Sequence, residues 1–163
     1  MNGIQLALCT LHHGERHLAD ELLAVADRHR TEHEVHHVAT DVAAWSREHV
    51  RRLTEAAADH GLDPDDPANA TGDGMLATPR HKAAGPSDHS PDPGPLLLRD
   101  LSDLHLAATH NSLCWEMLAQ AAQAAKNTGL LGLASSCHPQ TLRQMRWTNT
   151  MIKNLSPQIL KSL

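Results

Sequence analysis

The sequence predicts an all-α protein, an up-down four-helix bundle in which two helical hairpins are joined by a long Pro/Gly-rich crossover. Three observations predict it. Apolar residues recur at steps of three and four along four long stretches, the pattern of helices that bury one face. The 163 residues contain no Phe, no Tyr and only three Trp. Their core must therefore be built from Leu, Val and Ala, which suits closely packed helices better than strand faces that draw on aromatic and β-branched residues. Residues 61–95 hold seven of the nine Pro and five of the nine Gly, the composition of a mobile linker between two helical halves, 1–60 and 96–163. With 40% apolar and 20% charged residues, the chain has enough core-forming material for one domain without disulfides.

The first helix is predicted over residues 4–29, with Ile4, Leu8, Leu11, Leu18, Leu22 and Val25 on its inner face. A second follows a tight turn, opened by a capping box in which Thr31 and Glu34 satisfy each other's amides. Its inner residues are Val35, Val38, Val42, Trp45, Leu53 and Ala56, and Gly61 ends it because glycine best adopts the left-handed cap. After the linker, Pro95 is placed to open the third helix. The inner face there is Leu97, Leu101, Leu104, Ala108, Trp115, Leu118, Ala122 and Ala125, flanked by Leu106, Leu113 and Met117. Asn127-Thr128-Gly129 forms a turn, and the fourth helix runs from Leu130 towards Leu155 through Leu131, Leu142, Met145 and Ile152. Pro139 should kink or restart it, and Ser156-Pro157 should stop it.

Polar residues interrupt these stripes. Glu15 lies between Leu11 and Leu18, and His49 between Trp45 and Leu53. Folding the first hairpin at about residue 30 sets positions totalling roughly 60 to 64 opposite each other, which brings Glu15 and His49 within about one turn. A crossover running the length of the bundle makes the second and third helices parallel, with His110 at nearly the level of His49. The fourth helix then brings Gln144, Trp147 or Asn149 to that height. One reading of the cluster is a buried hydrogen-bonded network in which each partner lowers the cost of burying the other.

Two hairpins joined by a long crossover, with Glu15 on the first helix and His49 on the second aimed inwards, resemble the ferritin-like superfamily. The resemblance implies a divalent metal, iron, zinc or manganese, in the bundle core, with Glu15 as the first-helix carboxylate and His49 as the second-helix histidine. This sequence departs from the family pattern at position 46, where Glu-x-x-His would need an acid and Ser46 stands. The last helix carries no Glu-x-x-His. Glu34-Val35-His36-His37 matches the motif but falls in the first turn of its helix, where Glu34 is engaged in capping. With His110 in place of the third-helix carboxylate, the resemblance implies a mononuclear set of Glu15, His49 and His110.

Other features carry less. His29, His33, His36 and His37, and the pair His13 and His17, stand at chelating spacings but near helix ends, where they read as solvated residues. A hemerythrin-like site needs several histidines on the last two helices, and the fourth offers only His138. Cys9, Cys114 and Cys137 are odd in number and lack CxxC spacing, which points away from disulfides and thiolate zinc. No run approaches a membrane span, so a cytoplasmic protein without membrane partners is expected. Residues 1–100 carry nine Lys and Arg against 17 Asp and Glu, residues 101–163 five against two. Nucleic acid is disfavoured by the acidic whole. The basic last helix is expected to rest on the acidic first hairpin, or else to dock an acidic protein partner or other anion. A homodimer is expected through an exposed apolar helix face. The functional expectation is thus a ferritin-like metal-binding bundle, and its alternative a non-catalytic interaction or scaffold protein.

Overall fold

A computed structural model describes residues 1–70, 76 and 92–163. The described residues form four long helices, α1 (Gly3–Arg28), α2 (His33–Asp59), α3 (Pro93–Ala124) and α4 (Thr128–Lys161), with one 3-10 turn among them at Pro67–Asn69. No strand occurs among the described residues. The two hairpins of the predicted bundle are α1–α2 and α3–α4.

Side-chain contacts give the register. In the first hairpin Gln5 donates to the His60 carbonyl and His36 contacts that of Ala26, so α1 and α2 are antiparallel. In the second, Ser112 meets His138 and His105 meets Thr148. Between hairpins, Trp115 reaches Glu15 while Arg28 reaches Asp100, which makes α1 and α3 antiparallel. Gln144 donates to Val42 and Arg52 to Ser136, which does the same for α2 and α4. Helices α2 and α3 therefore run in the same direction, as a crossover spanning the bundle requires.

Helix ends follow local chemistry in some places and override it in others. Asn2 caps α1 through a full capping box with Gln5. Gly61 sits at φ 69° beyond α2, and the bonds Gly61 N–H to Ala58 O and Leu62 N–H to Ala57 O close the glycine-dependent terminus. The Thr31–Glu34 capping box does not form, because the helix starts one residue later, with Glu32 at its cap and no side-chain cap bond. Pro93, rather than Pro95, opens α3 in the first turn, where a missing N–H costs nothing. Neither Pro139 nor Pro157 interrupts α4. Each proline is exposed, as are Ser135 and Lys153 four residues earlier, so the carbonyls they leave unbonded face water while the buried side of the helix stays packed.

Of the predicted linker 61–95, residues 71–75 and 77–91 lie outside the described residues. The part after Gly61 is tied to α1: the His13 ring bonds the Pro64 carbonyl at 2.9 Å, and Arg16 pairs with Asp65 at 2.6 Å.

The apolar core falls into two clusters. One gathers Leu18, Leu22, Val25, Val35, Val42, Leu97, Leu101, Leu104 and Met151. The other gathers Leu8, Leu11, Leu53, Trp115, Leu118, Leu130 and Leu133. Between them lies a polar layer. Leu106, Leu113 and Met117, expected to flank the third helix's inner face, are instead exposed, and so is Leu142 on α4.

Candidate functional site: the central polar layer

All four helices contribute to the layer. Its centre is Glu15 on α1, fully buried, and His49 on α2, 1% exposed. Glu15 sits on the stripe between Leu11 and Leu18, so the same periodicity that buries those leucines buries the carboxylate. Its Oε1 accepts a 2.9 Å bond from the Trp115 indole N–H and a 3.4 Å bond from the Thr141 hydroxyl. The His49 Nδ1 lies 3.2 Å from the same oxygen, off the direction of a hydrogen bond, and has no partner in that sense. Its other nitrogen, Nε2, meets Gln140 Oε1 at 2.8 Å. The imidazole is further fixed by the edge of Trp115, the ring centroids 5.7 Å apart and the planes at 82°.

Gln144 on α4 completes the far side. Its amide donates to the Val42 carbonyl at 3.0 Å and to the Ser46 hydroxyl at 2.9 Å, while its Oε1 has no partner. Asn111 on α3 lies against Gly14 of α1, where a Cβ would overlap Asn111 Oδ1. Buried polar atoms ordinarily find partners. Here four belonging to one layer do not: Glu15 Oε2, His49 Nδ1, Asn111 Nδ2 and Gln144 Oε1.

Glu15 and His49 are brought together as the sequence predicts. His110 is not brought to them: it is half-buried on the line of Leu106 and Leu113, with its Nδ1 3.9 Å from Cys114 of its own helix. Asn111 and Trp115 take the inward positions, since the α3 stripe passes through 108, 111, 115 and 118. Among the described residues no group of three or more His, Cys, Asp or Glu side chains is gathered to hold a metal ion. Of the fourth-helix residues expected at this height, Gln144 arrives, Trp147 is half-buried beside the first apolar cluster, and Asn149 is exposed.

Thr141 and Gln140 carry no signal in an apolar-periodicity reading. The true inner stripe of α4 is Leu130, Leu133, Ala134, Cys137, Thr141, Gln144, Thr148 and Met151, five of the eight polar or small. Following Leu142 and Met145 instead sets the helix phase off by one position.

Burial raises the thiols beside this layer. Cys114 and Cys137 are each pushed up to about 11, chiefly by loss of water, with the Glu15 charge adding to the effect. They are protonated and poorly nucleophilic near neutrality.

A second polar group lies at the α3–α4 seam, where Ser112 Oγ is 2.7 Å from His138 Nε2 and His138 Nδ1 is 3.6 Å from Glu116. The order is that of a hydrolytic triad, but Ser112 stands in mid-helix, where the neighbouring amides are committed to the helix. No backbone donors remain there to hold an oxyanion.

No family model, no curated protein and no solved structure matches this chain. Among the described residues, no helix is long and apolar enough to cross a membrane.

Proposed function

We propose that the protein is a degenerate ferritin-like, metal-binding helical bundle that holds one divalent ion in its central polar layer. A dinuclear centre does not fit, since the layer supplies one carboxylate, Glu15, and places Ser46, Asn111, Thr141 and Gln144 where further acids would stand. A mononuclear ion does fit the donor atoms left over. Glu15 Oε2 and His49 Nδ1 are both buried without hydrogen-bond partners, on two side chains that approach to 3.2 Å through the other carboxylate oxygen, and this single observation carries the reading. Gln144 Oε1 is the third unpartnered acceptor and replaces His110 in the proposed ligand set.

The surroundings support it. A ligating imidazole normally gives its second N–H to an oxygen, and His49 Nε2 faces Gln140 Oε1. Trp115 and Thr141 fix the other carboxylate oxygen, leaving Oε2 to act. One carboxylate, one imidazole and one amide oxygen suit iron, zinc or manganese, and such an ion would supply Lewis acidity in the bundle core. Three free buried cysteines agree with a reducing compartment such as the cytoplasm.

Titrating chelator-treated protein with zinc or manganese, followed by thermal unfolding, tests the proposal. A saturable rise in Tm that disappears in Glu15→Gln and persists in His33→Ala/His37→Ala is expected. No rise, or one lost only with the surface histidines, overturns it.

One observation favours the alternative of an interaction protein. Arg143, Arg146, Lys153 and Lys161 on α4 are exposed, and none forms an ion pair with a described residue. Helix α4 does rest on α2 of the first hairpin, but through its polar-small stripe, and its cations are turned to water. Salt-sensitive binding of an acidic partner, lost on reversing Arg143 and Arg146, supports that reading.

A further inference from the structure

Leu106, Leu113 and Met117 are 54%, 56% and 44% exposed, and Leu142 is 42% exposed. The first three are spaced by seven and four along α3 and so share one face, with half-buried His110 between them. From the α3–α4 register, in which Ser112 meets His138 and His105 meets Thr148, Leu142 lies beside the middle of this stripe. A contiguous apolar face of this kind, rimmed by charge, marks a contact surface.

The stripe is self-complementary. Turning a second α3 end for end about a point between His110 and Leu113 sets Leu106 opposite Met117, and His110 opposite Leu113, in both directions. The same operation brings Leu142 close to its own counterpart at the axis. The charges match as well: Arg143 and Arg146 lie at the level of the lower half of the stripe, and rotation carries the second copy's Glu116 to that level. Glu116 already leans towards α4, 3.6 Å from His138, the side on which those arginines stand. An isologous contact requires this kind of reciprocity, and a foreign helix would have no reason to match it.

We propose that this α3 face is a homodimer interface, paired with the same face of a second copy, the two α3 helices running antiparallel and Glu116 of each meeting Arg143 and Arg146 of the other. The interface lies outside the polar layer and needs no ligand there.

Sedimentation equilibrium of the full chain over a wide concentration range is the test, with circular dichroism to confirm that each variant is folded. Wild type is expected to dimerise. Leu113→Glu, an exposed substitution that leaves the core untouched, is expected to raise the dimer Kd by about tenfold or more, the loss of a central apolar contact. Glu116→Arg is expected to weaken the dimer, and Glu116→Arg/Arg143→Glu/Arg146→Glu to restore it. A monomeric wild type, including one that binds an acidic peptide instead, overturns the proposal. So does a dimer indifferent to Leu113→Glu, or a charge reversal that fails to restore pairing.

Discussion

Replacing Gly14 by Ala separates two opposing effects that the structure allows to be weighed. In mid-helix, Ala is favoured over Gly by about 1 kcal/mol, because it loses less backbone entropy on folding. Against this, a Cβ at position 14 would overlap Asn111 Oδ1 and stand 3.2 Å from Asn111 Cγ. Asn111 is buried, so the clash is relieved only by turning its side chain within the packed layer or by spreading α1 from α3. Overpacking of this kind costs roughly 1–3 kcal/mol. The net expectation for Gly14→Ala is a loss of about 0–2 kcal/mol, or up to about 8 °C in Tm for a chain of this size. In an Asn111→Ala background the clash is gone, and Gly14→Ala should stabilise by up to about 1 kcal/mol. Urea denaturation of the four proteins of this cycle measures both effects and their coupling. If Gly14→Ala stabilises by the same amount in both backgrounds, the close approach of α1 and α3 is not the constraint proposed. Glu15 follows Gly14 in sequence, so the same approach brings the Trp115 N–H within 2.9 Å of the carboxylate.

Three further outcomes follow from other parts of the molecule. Asp100 is buried and bonds His29 at 2.7 Å and Arg28 at 3.1 Å. Asp100→Ala should cost about 1–3 kcal/mol in chemical denaturation by stranding the His29 donor, whereas a change within about 0.5 kcal/mol would show that the pair is incidental. His12 is fully buried, and burial, with the Arg16 charge second, holds its pKa below 6.5. The folded state then binds this proton less readily than the unfolded chain, so the contribution is complete above pH 6.5 and declines as pH falls towards the folded value. Unfolding curves at successive pH should show a smaller slope in that window for His12→Asn, and an unchanged slope would contradict the assignment. Cys114 and Cys137, with thiols pushed up to about 11 by burial, should react with a disulfide reagent only in step with unfolding; rapid reaction of the folded protein at neutral pH would contradict their burial.

Much of this architecture was legible because apolar periodicity reports burial directly. The stripes of α1 and α2 stand out, and the hairpin register follows from the tight turn between them. Glu15 and His49 show up as interruptions of those stripes, since a polar residue at a core position betrays itself by its neighbours. On α3 the wide apolar surface obscured which side faces in. Leu106, Leu113 and Met117 look like core residues, and His110 goes with them to the outside, while Asn111 takes the inward place. On α4 the inner stripe is itself largely polar or small, so taking Leu142 as core sets the phase wrongly and passes over Thr141 and Gln140. Pro139 and Pro157 misled for a different reason: local breakers yield to tertiary packing when the carbonyls they free are open to solvent. The exposed apolar face and the displaced histidine thus share one cause, a choice of helix face that composition alone does not settle.

Glu15 and His49 are the two residues on which the proposed metal site depends. Elemental analysis of tag-free protein purified without chelator, beside a Glu15→Gln/His49→Gln variant shown by circular dichroism to be folded, tests it most directly. Near-stoichiometric iron, zinc or manganese in the wild type and none in the variant is the expected result. Equal metal in both, or none in either, would contradict the claim and leave Glu15 and His49 as a purely structural pair.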